Sequence, residues 1–178
     1  MAESLTLRIS GGHMRGRKLT LPTLPGLRPT PSRVRETLFN WLQGWIEGQR
    51  VLDMFAGAGG LSLEALSRGA ASVHAIENNQ QLCQSLIKTA GDWGVDGLHV
   101  HRGDALSLAI DSRFDLIFID PPFGKNLLQP ALARAAECLA EGGMVVIEHE
   151  KGVEIPAGWV ELKRTKAGQE HLALLERA

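Results

Sequence analysis

A chain of 178 residues, 44% hydrophobic and 22% charged, has length for one domain with its own core and is neither disordered nor fibrous in composition. No apolar run approaches the roughly 18 residues of a membrane span, and Met1-Ala2-Glu3-Ser4 lacks the basic-then-apolar order of a signal peptide, so a cytoplasmic protein is expected. The formal net charge of −1 hides a split: residues 1–40 carry seven basic against two acidic residues (net +5), the remainder twelve against eighteen (net −6).

Leu5-Thr6-Leu7-Arg8-Ile9 and Arg17-Lys18-Leu19-Thr20-Leu21 partly alternate apolar and polar around Gly11-Gly12-His13-Met14-Arg15-Gly16, the pattern of a hairpin. Its three glycines allow close backbone approach to another molecule, with cations beside them. Pro22, Pro25, Pro29 and Pro31 make residues 22–31 an extended connector, and Thr30 is placed to cap a helix that has Pro31 at its first position. Val34, Leu38, Trp41, Leu42 and Trp45 recur at helical spacing, which predicts an amphipathic helix over 31–46. A basic hairpin and connector over 1–30 thus precede a body over 31–178. A cationic stretch on an acidic body suits local contact with phosphates.

Short β-rich apolar segments at 51–55, 73–76, 98–100, 116–119 and 144–147 alternate with helical patterns at 60–68, 79–91, 105–110 and 127–140. This alternation predicts a doubly wound α/β sheet, completed by a hairpin of 159–163 and 171–175. Ligands of such sheets sit at the carboxyl ends of the strands, near the switch in strand order. Cys83 and Cys138 read as two buried thiols, too few for a disulfide framework or a four-cysteine zinc site.

The first strand of the body leaves as Asp53-Met54-Phe55-Ala56-Gly57-Ala58-Gly59-Gly60. Gly57 and Gly59 match two glycines of a dinucleotide loop, but position 62 is Ser, and no Gly-Lys-Ser/Thr follows to make a P-loop. Glu77 ends the next strand, placed to accept from ribose hydroxyls, and Asp104 follows the third, placed to accept from an exocyclic amine. Acceptors for a nucleoside without a clamp for pyrophosphate fit S-adenosylmethionine better than NAD. Asp53 is expected to meet the cationic methionine end.

The fourth strand ends in Asp120-Pro121-Pro122-Phe123, the sharpest feature of the chain. Each proline pushes the residue before it into an extended conformation, and neither proline has an N–H. The turn therefore offers outward carbonyls and a carboxylate as acceptors, which suits an –NH2 group with two hydrogens to donate. Holding both hydrogens out of the ring plane localises the amine lone pair and aims it at a methyl sulfonium. Phe123 offers a face for a base to stack on, and Lys125 a contact for phosphate.

Here the chain resembles class I S-adenosylmethionine-dependent methyltransferases with the (Asp/Asn)-Pro-Pro-aromatic motif of amino methylation. More narrowly, it resembles the 16S ribosomal RNA guanine-N2 methyltransferase RsmD family. That narrower likeness rests on Arg8-Ile9-Ser10-Gly11-Gly12, Arg15-Gly16-Arg17-Lys18-Leu19, Pro25-Gly26-Leu27-Arg28-Pro29-Thr30 and Arg33-Val34-Arg35-Glu36-Thr37-Leu38-Phe39-Asn40-Trp41-Leu42, with Leu63-Glu64-Ala65-Leu66-Ser67-Arg68 downstream. Ala58 stands where a Ser is common. The resemblance implies a Rossmann-like, seven-stranded, mostly parallel sheet with one antiparallel strand, helices on both faces and the N-terminal hairpin added. It implies methyl transfer to the N2 amine of a guanine in small-subunit 16S ribosomal RNA, leaving S-adenosylhomocysteine. Catalysis falls to Asp120, Pro121, Pro122 and Phe123. The cofactor falls to Thr30, Asp53, Phe55, Ala56, Gly57, Gly59, Glu77, Asn78, Asp104 and Ala105, and RNA to Arg8, Arg15, Arg17, Lys18, Arg28, Arg33, Arg35 and Lys125.

A monomer without membrane or metal partners is expected. His13, His99, His101 and His149 read as lying on different elements with no i, i+4 pair, and Glu148 and Glu150, flanking His149, as a solvated strand edge. Trp93 and Trp159 read as packing residues. The motif equally admits adenine N6 in RNA or DNA, or a glutamine amide; a DNA enzyme usually adds a recognition domain, for which 178 residues leave little room. A non-catalytic RNA-binding assembly factor is the reading from another class, against which the intact Asp120–Phe123 turn stands.

Overall fold

The structure, a computed structural model, describes residues 4–178. Met1 to Glu3, which entered the signal-peptide and charge readings, lie outside the described residues. Strands β1 (Thr6–Arg8) and β2 (Lys18–Thr20) form the expected antiparallel hairpin. Helix α1 spans Ser32–Leu42, shorter than its apolar pattern, because the chain turns through Gly44 at φ 79°; Ile46 is still buried, on a turn whose amide bonds Leu42.

Then follow β3 (Arg50–Asp53), α2 (Gly60–Ser67), β4 (Ser72–Glu77), α3 (Gln80–Trp93), β5 (Leu98–Arg102), β6 (Phe114–Ile119), α4 (Leu128–Cys138), β7 (Leu139–His149), β8 (Trp159–Ala167) and β9 (Glu170–Arg177). The predicted helix at 105–110 is absent. A six-residue segment is too short to sustain a helix. Asp104 also caps the turn, its Oδ1 accepting from the Leu106 amide and its carbonyl from Leu108.

Seven strands order as β5-β4-β3-β6-β7-β9-β8. Pairs β3–β4, β4–β5, β3–β6 and β6–β7 are parallel, and β9 alone runs against its neighbours. The order reverses between β3 and β6, so the loop after Asp53 and the turn after Ile119 share the switch point of the sheet. Alternation along the strands divides the core. Val51, Leu116, Phe118 and Val146 pack against α1 and α2, whereas Leu52, Ile117, Ile119 and Val145 pack against α4. Leu7, Ile9, Met14, Leu19 and Leu21 of the hairpin join the first of these cores.

His99 and His101 lie on one strand, β5, not on separate elements. With His74 of β4 they form a stack, ring centroids 4.6 and 5.0 Å apart, and His74 Nδ1 lies 2.8 Å from His101 Nε2. Partial burial, and in second place the neighbouring rings, lower the pKa of both His74 and His101. A lowered native pKa means that the unfolded chain binds these protons more readily. Stability is therefore expected to be complete above the unfolded histidine value of about 6.5 and to fall as pH drops through it. His101→Gln should flatten that decline in thermal melts run between pH 8 and 5.

Candidate active site

The carboxyl ends of β3 to β7 open onto a cleft of about 830 Å³. Its floor is the loop after β3. Gly57, at φ 56°, lines the cleft with Phe55, Ala56 and Ala58. Glu77 ties this loop to the next: Oε1 accepts from the Gly57 amide at 3.2 Å and Oε2 from the Asn79 amide at 2.7 Å. Asn78, Asp104 and Ala105 line the same wall.

Two residues expected at the cofactor do not reach the cleft. Gly59, at φ 90°, caps α2, and a Cβ there would stand 2.3 Å from Leu86 Cδ1. It is glycine so that α3 packs closely, not for a ligand. Asp53 is 1% exposed beneath the loop, accepting from Ser62 Oγ at 2.7 Å, while its Oδ1 has no partner. Burial lifts its pKa to about 7 against the pull of Ser62. Both residues shape the loop from behind.

Opposite stands the turn after β6. Asp120, Pro121, Pro122 and Phe123 all line the cleft, and Phe123 is 44% exposed. The turn is pinned at Gly124, whose amide donates to Glu150 Oε1 at 2.7 Å. Glu148 departs from the reading as a solvated edge: it is 5% exposed and lines the cleft beside Asp120, with Glu170. Burial is the main cause that raises the Asp120 carboxyl to about 6; hydrogen bonds from its neighbours oppose it.

Thr30 is not a helix cap. The N-cap is Pro31, extended at ψ 142°, and the helix begins at Ser32. The Thr30 hydroxyl instead lies 3.4 Å from both Asp120 Oδ2 and Glu148 Oε2. The connector that carries it, residues 24–30, forms a wall of the cleft, with Leu27 4.0 Å from the position of a Gly57 Cβ. The spacing of its prolines indicated extension but gave no hint of what it covers.

Among the cations, Arg8, Arg15, Arg17, Lys18, Arg28, Arg33 and Lys125 are exposed, and Arg28 and Lys125 line the cleft. Arg35 is not available to RNA: it is 1% exposed, with Nε 3.3 Å from Glu64 Oε1 and Nη2 donating to the Arg8 carbonyl at 2.5 Å. Arg17 donates to the Trp93 carbonyl at 2.9 Å and lies 5.6 Å from its ring centroid, so Trp93 seats a cation besides packing. Trp159 likewise has Arg177 over its ring.

Gly12 of the glycine-rich turn packs within this molecule. A Cβ on Gly12 would fall 1.8 Å from the Ser67 carbonyl oxygen, and the His13 and Met14 amides bond Ser67. Ser67 ends α2, whose first turn faces the cleft. Arg15 therefore sits one helix length down the flank, roughly 12 Å at 1.5 Å per residue.

The family model described as Conserved hypothetical protein 95 matches residues 7–176. Ribosomal RNA small subunit methyltransferase D of Escherichia coli K12 is 40% identical over 178 residues, spanning 96% of this chain and 90% of that one. Its namesake in Haemophilus influenzae is 36% identical, over 91% and 89%. Among solved structures, yhhF of Escherichia coli superposes with a TM-score of 0.86 at 41% identity, over 97% of this chain and 98% of that one. The chain belongs to the Conserved hypothetical protein 95 family, in company with the ribosomal RNA small subunit methyltransferases D.

Proposed function

We propose that this protein transfers a methyl group from S-adenosylmethionine to the N2 amine of a guanine in small-subunit ribosomal RNA. One observation carries the reading: the Asp120–Phe123 turn and the Gly57 loop face each other across a single cleft at the switch point of the sheet. The cleft suits a nucleoside donor. Glu77 and Asp104 bring carboxylates to two neighbouring strand ends, and a side chain at Gly57 would project toward Leu27 across the cleft. Phe55, Ala56, Asn78, Ala105 and Thr30 share the lining, with Asp53 and Gly59 supporting the loop from beneath. When bound, the donor supplies a methyl carbon activated by sulfonium sulfur.

The chain's own part is to hold the acceptor. Pro121 and Pro122 stiffen the turn, so Asp120 and the adjoining carbonyls present acceptors in a fixed arrangement. An amine that gives both hydrogens to them keeps its lone pair out of conjugation and aimed across the cleft. Stacking on Phe123 is worth ~1–3 kcal/mol, and Arg28 and Lys125 flank the opening for phosphates.

Transfer of a labelled methyl group to unmodified small subunits, with naked ribosomal RNA and DNA as comparisons, tests this reading. N2-methylguanosine is the product expected on nucleoside analysis; N6-methyladenosine or label in protein would replace the reading by one of its rivals. Reversal of Arg15 and Arg17 to Glu is expected to weaken RNA binding and spare affinity for the donor. Loss of two phosphate contacts should lower the slope of log affinity against log salt by about 2. An unchanged slope would remove the hairpin from the RNA interface.

A further inference from the structure

Asp120 is one of three carboxylates in the same corner. Glu148 comes from β7 and Glu170 from the start of β9, and in the sheet β7 lies between β6 and β9. Glu148 pairs with Leu172 across the strands, so Glu148, Leu172 and Glu170 share a face, and His149 and His171 point to the other. All three acids line the cleft, and Glu170 Oε2 is buried without a partner. Among the described residues, no lysine, arginine or histidine lies within ion-pair distance of any of them. Lys125 and Glu77 line the same cleft, Asp53 is buried beneath its loop, and Glu150 accepts from the Gly124 amide.

Three adjacent carboxylates without a cation, Glu148 buried and the other two half-buried, are not expected to be ionised together. The proton belongs on Glu148, which is the most buried and stands between the other two. The Thr30 hydroxyl, 3.4 Å from both Asp120 Oδ2 and Glu148 Oε2, marks the point where the two carboxyls meet. We propose that Glu148 is a positioning residue for methyl transfer, which keeps its proton at neutral pH and donates it to Asp120, leaving Asp120 the ionised acceptor for the amine. Burial and then the Asp120 charge raise the Glu148 carboxyl to about 10, and the hydrogen bond from Glu148 is the largest influence that lowers Asp120. The inference rests on the methyl-transfer reading above.

The test compares wild type, Glu148→Gln and Glu148→Ala by the pH profile of methyl transfer, and wild type with Glu148→Gln by infrared spectroscopy of the free protein. Glutamine donates through its amide as the acid does through its hydroxyl, so Glu148→Gln should keep the acid limb in place and lose no more than about threefold in kcat. Glu148→Ala removes the donor, and its acid limb should move up by about one unit, with a fall of about tenfold in kcat below that limb. KM for S-adenosylmethionine should hold in both. A protonated-carboxyl band should appear in wild type at pH 8 and vanish in Glu148→Gln. An alanine variant with the wild-type profile, a glutamine variant whose limb shifts as alanine's does, or a wild type without the band would overturn the proposal. Wild type that keeps the band but methylates no RNA would instead overturn the methyl-transfer reading.

Discussion

Asp120→Ala is expected to lower kcat for methyl transfer by about 10²–10⁴-fold, the range set by loss of a preorganised charged group or a proton acceptor. Affinity for S-adenosylmethionine should stay within about threefold. The two effects separate because the groups are on different strands. Gly57 and Asp104 follow β3 and β5 and Glu77 ends β4, whereas Asp120 follows β6 and faces them across the cleft. Asp120→Asn keeps an acceptor of the same shape without its charge, and charged acceptors are roughly twice as strong, so it should fall between wild type and alanine. The acceptor must be ionised, and Asp120 is held up to about 6; the wild-type rate should therefore decline as pH falls through that value. Calorimetric titration with the donor and single-turnover label transfer measure the two quantities independently. An alanine variant that turns over at the wild-type rate would take Asp120 out of the reaction.

The sheet was legible because its buried strands are short apolar runs punctuated by helices, and the acceptor turn because two consecutive prolines after a strand permit few backbone conformations. What escaped was burial of charge. Arg35 sits in a basic stretch and invites reading as a phosphate contact, yet it is four residues before Phe39 and seven before Leu42, on a face that is buried throughout. Glu64 lies in a helix buried from Ser62 to Ser67, and a helix covered all round leaves no exposed side for a charge. The two patterns together announce an internal ion pair. Glu148 continues the buried run Val145-Val146-Ile147, and only its nearness to Glu150 suggested solvent. Thr30 and the connector were beyond reach, since their partners lie 90 and 118 residues away in sequence and nothing local encodes them.

Glu64→Ala is expected to destabilise the fold by about 3–5 kcal/mol, the cost of stranding a buried charge. At about 2–4 °C per kcal/mol for a chain of this size, the melting temperature should fall by roughly 6–20 °C. Glu64 is fully buried and joins three parts of the chain: it accepts from the Ser10 amide and hydroxyl, pairs with Arg35 at 3.3 Å and stands 3.7 Å from Arg68. Alanine would leave the Arg35 guanidinium without a counter-ion and free the hairpin at Ser10. Leu7 of that hairpin lines the cleft and lies 2.8 Å from where a Gly60 Cβ would stand, so the same substitution should also weaken binding of the donor. Arg35→Met combined with Glu64→Leu removes both charges and keeps their volume; replacing buried pairs this way is often neutral or stabilising. The double variant should thus melt well above Glu64→Ala. If it melts no higher, the loss lies in what both variants lack, the contacts of Glu64 to Ser10, Gly11 and Arg68, rather than in the stranded Arg35 cation.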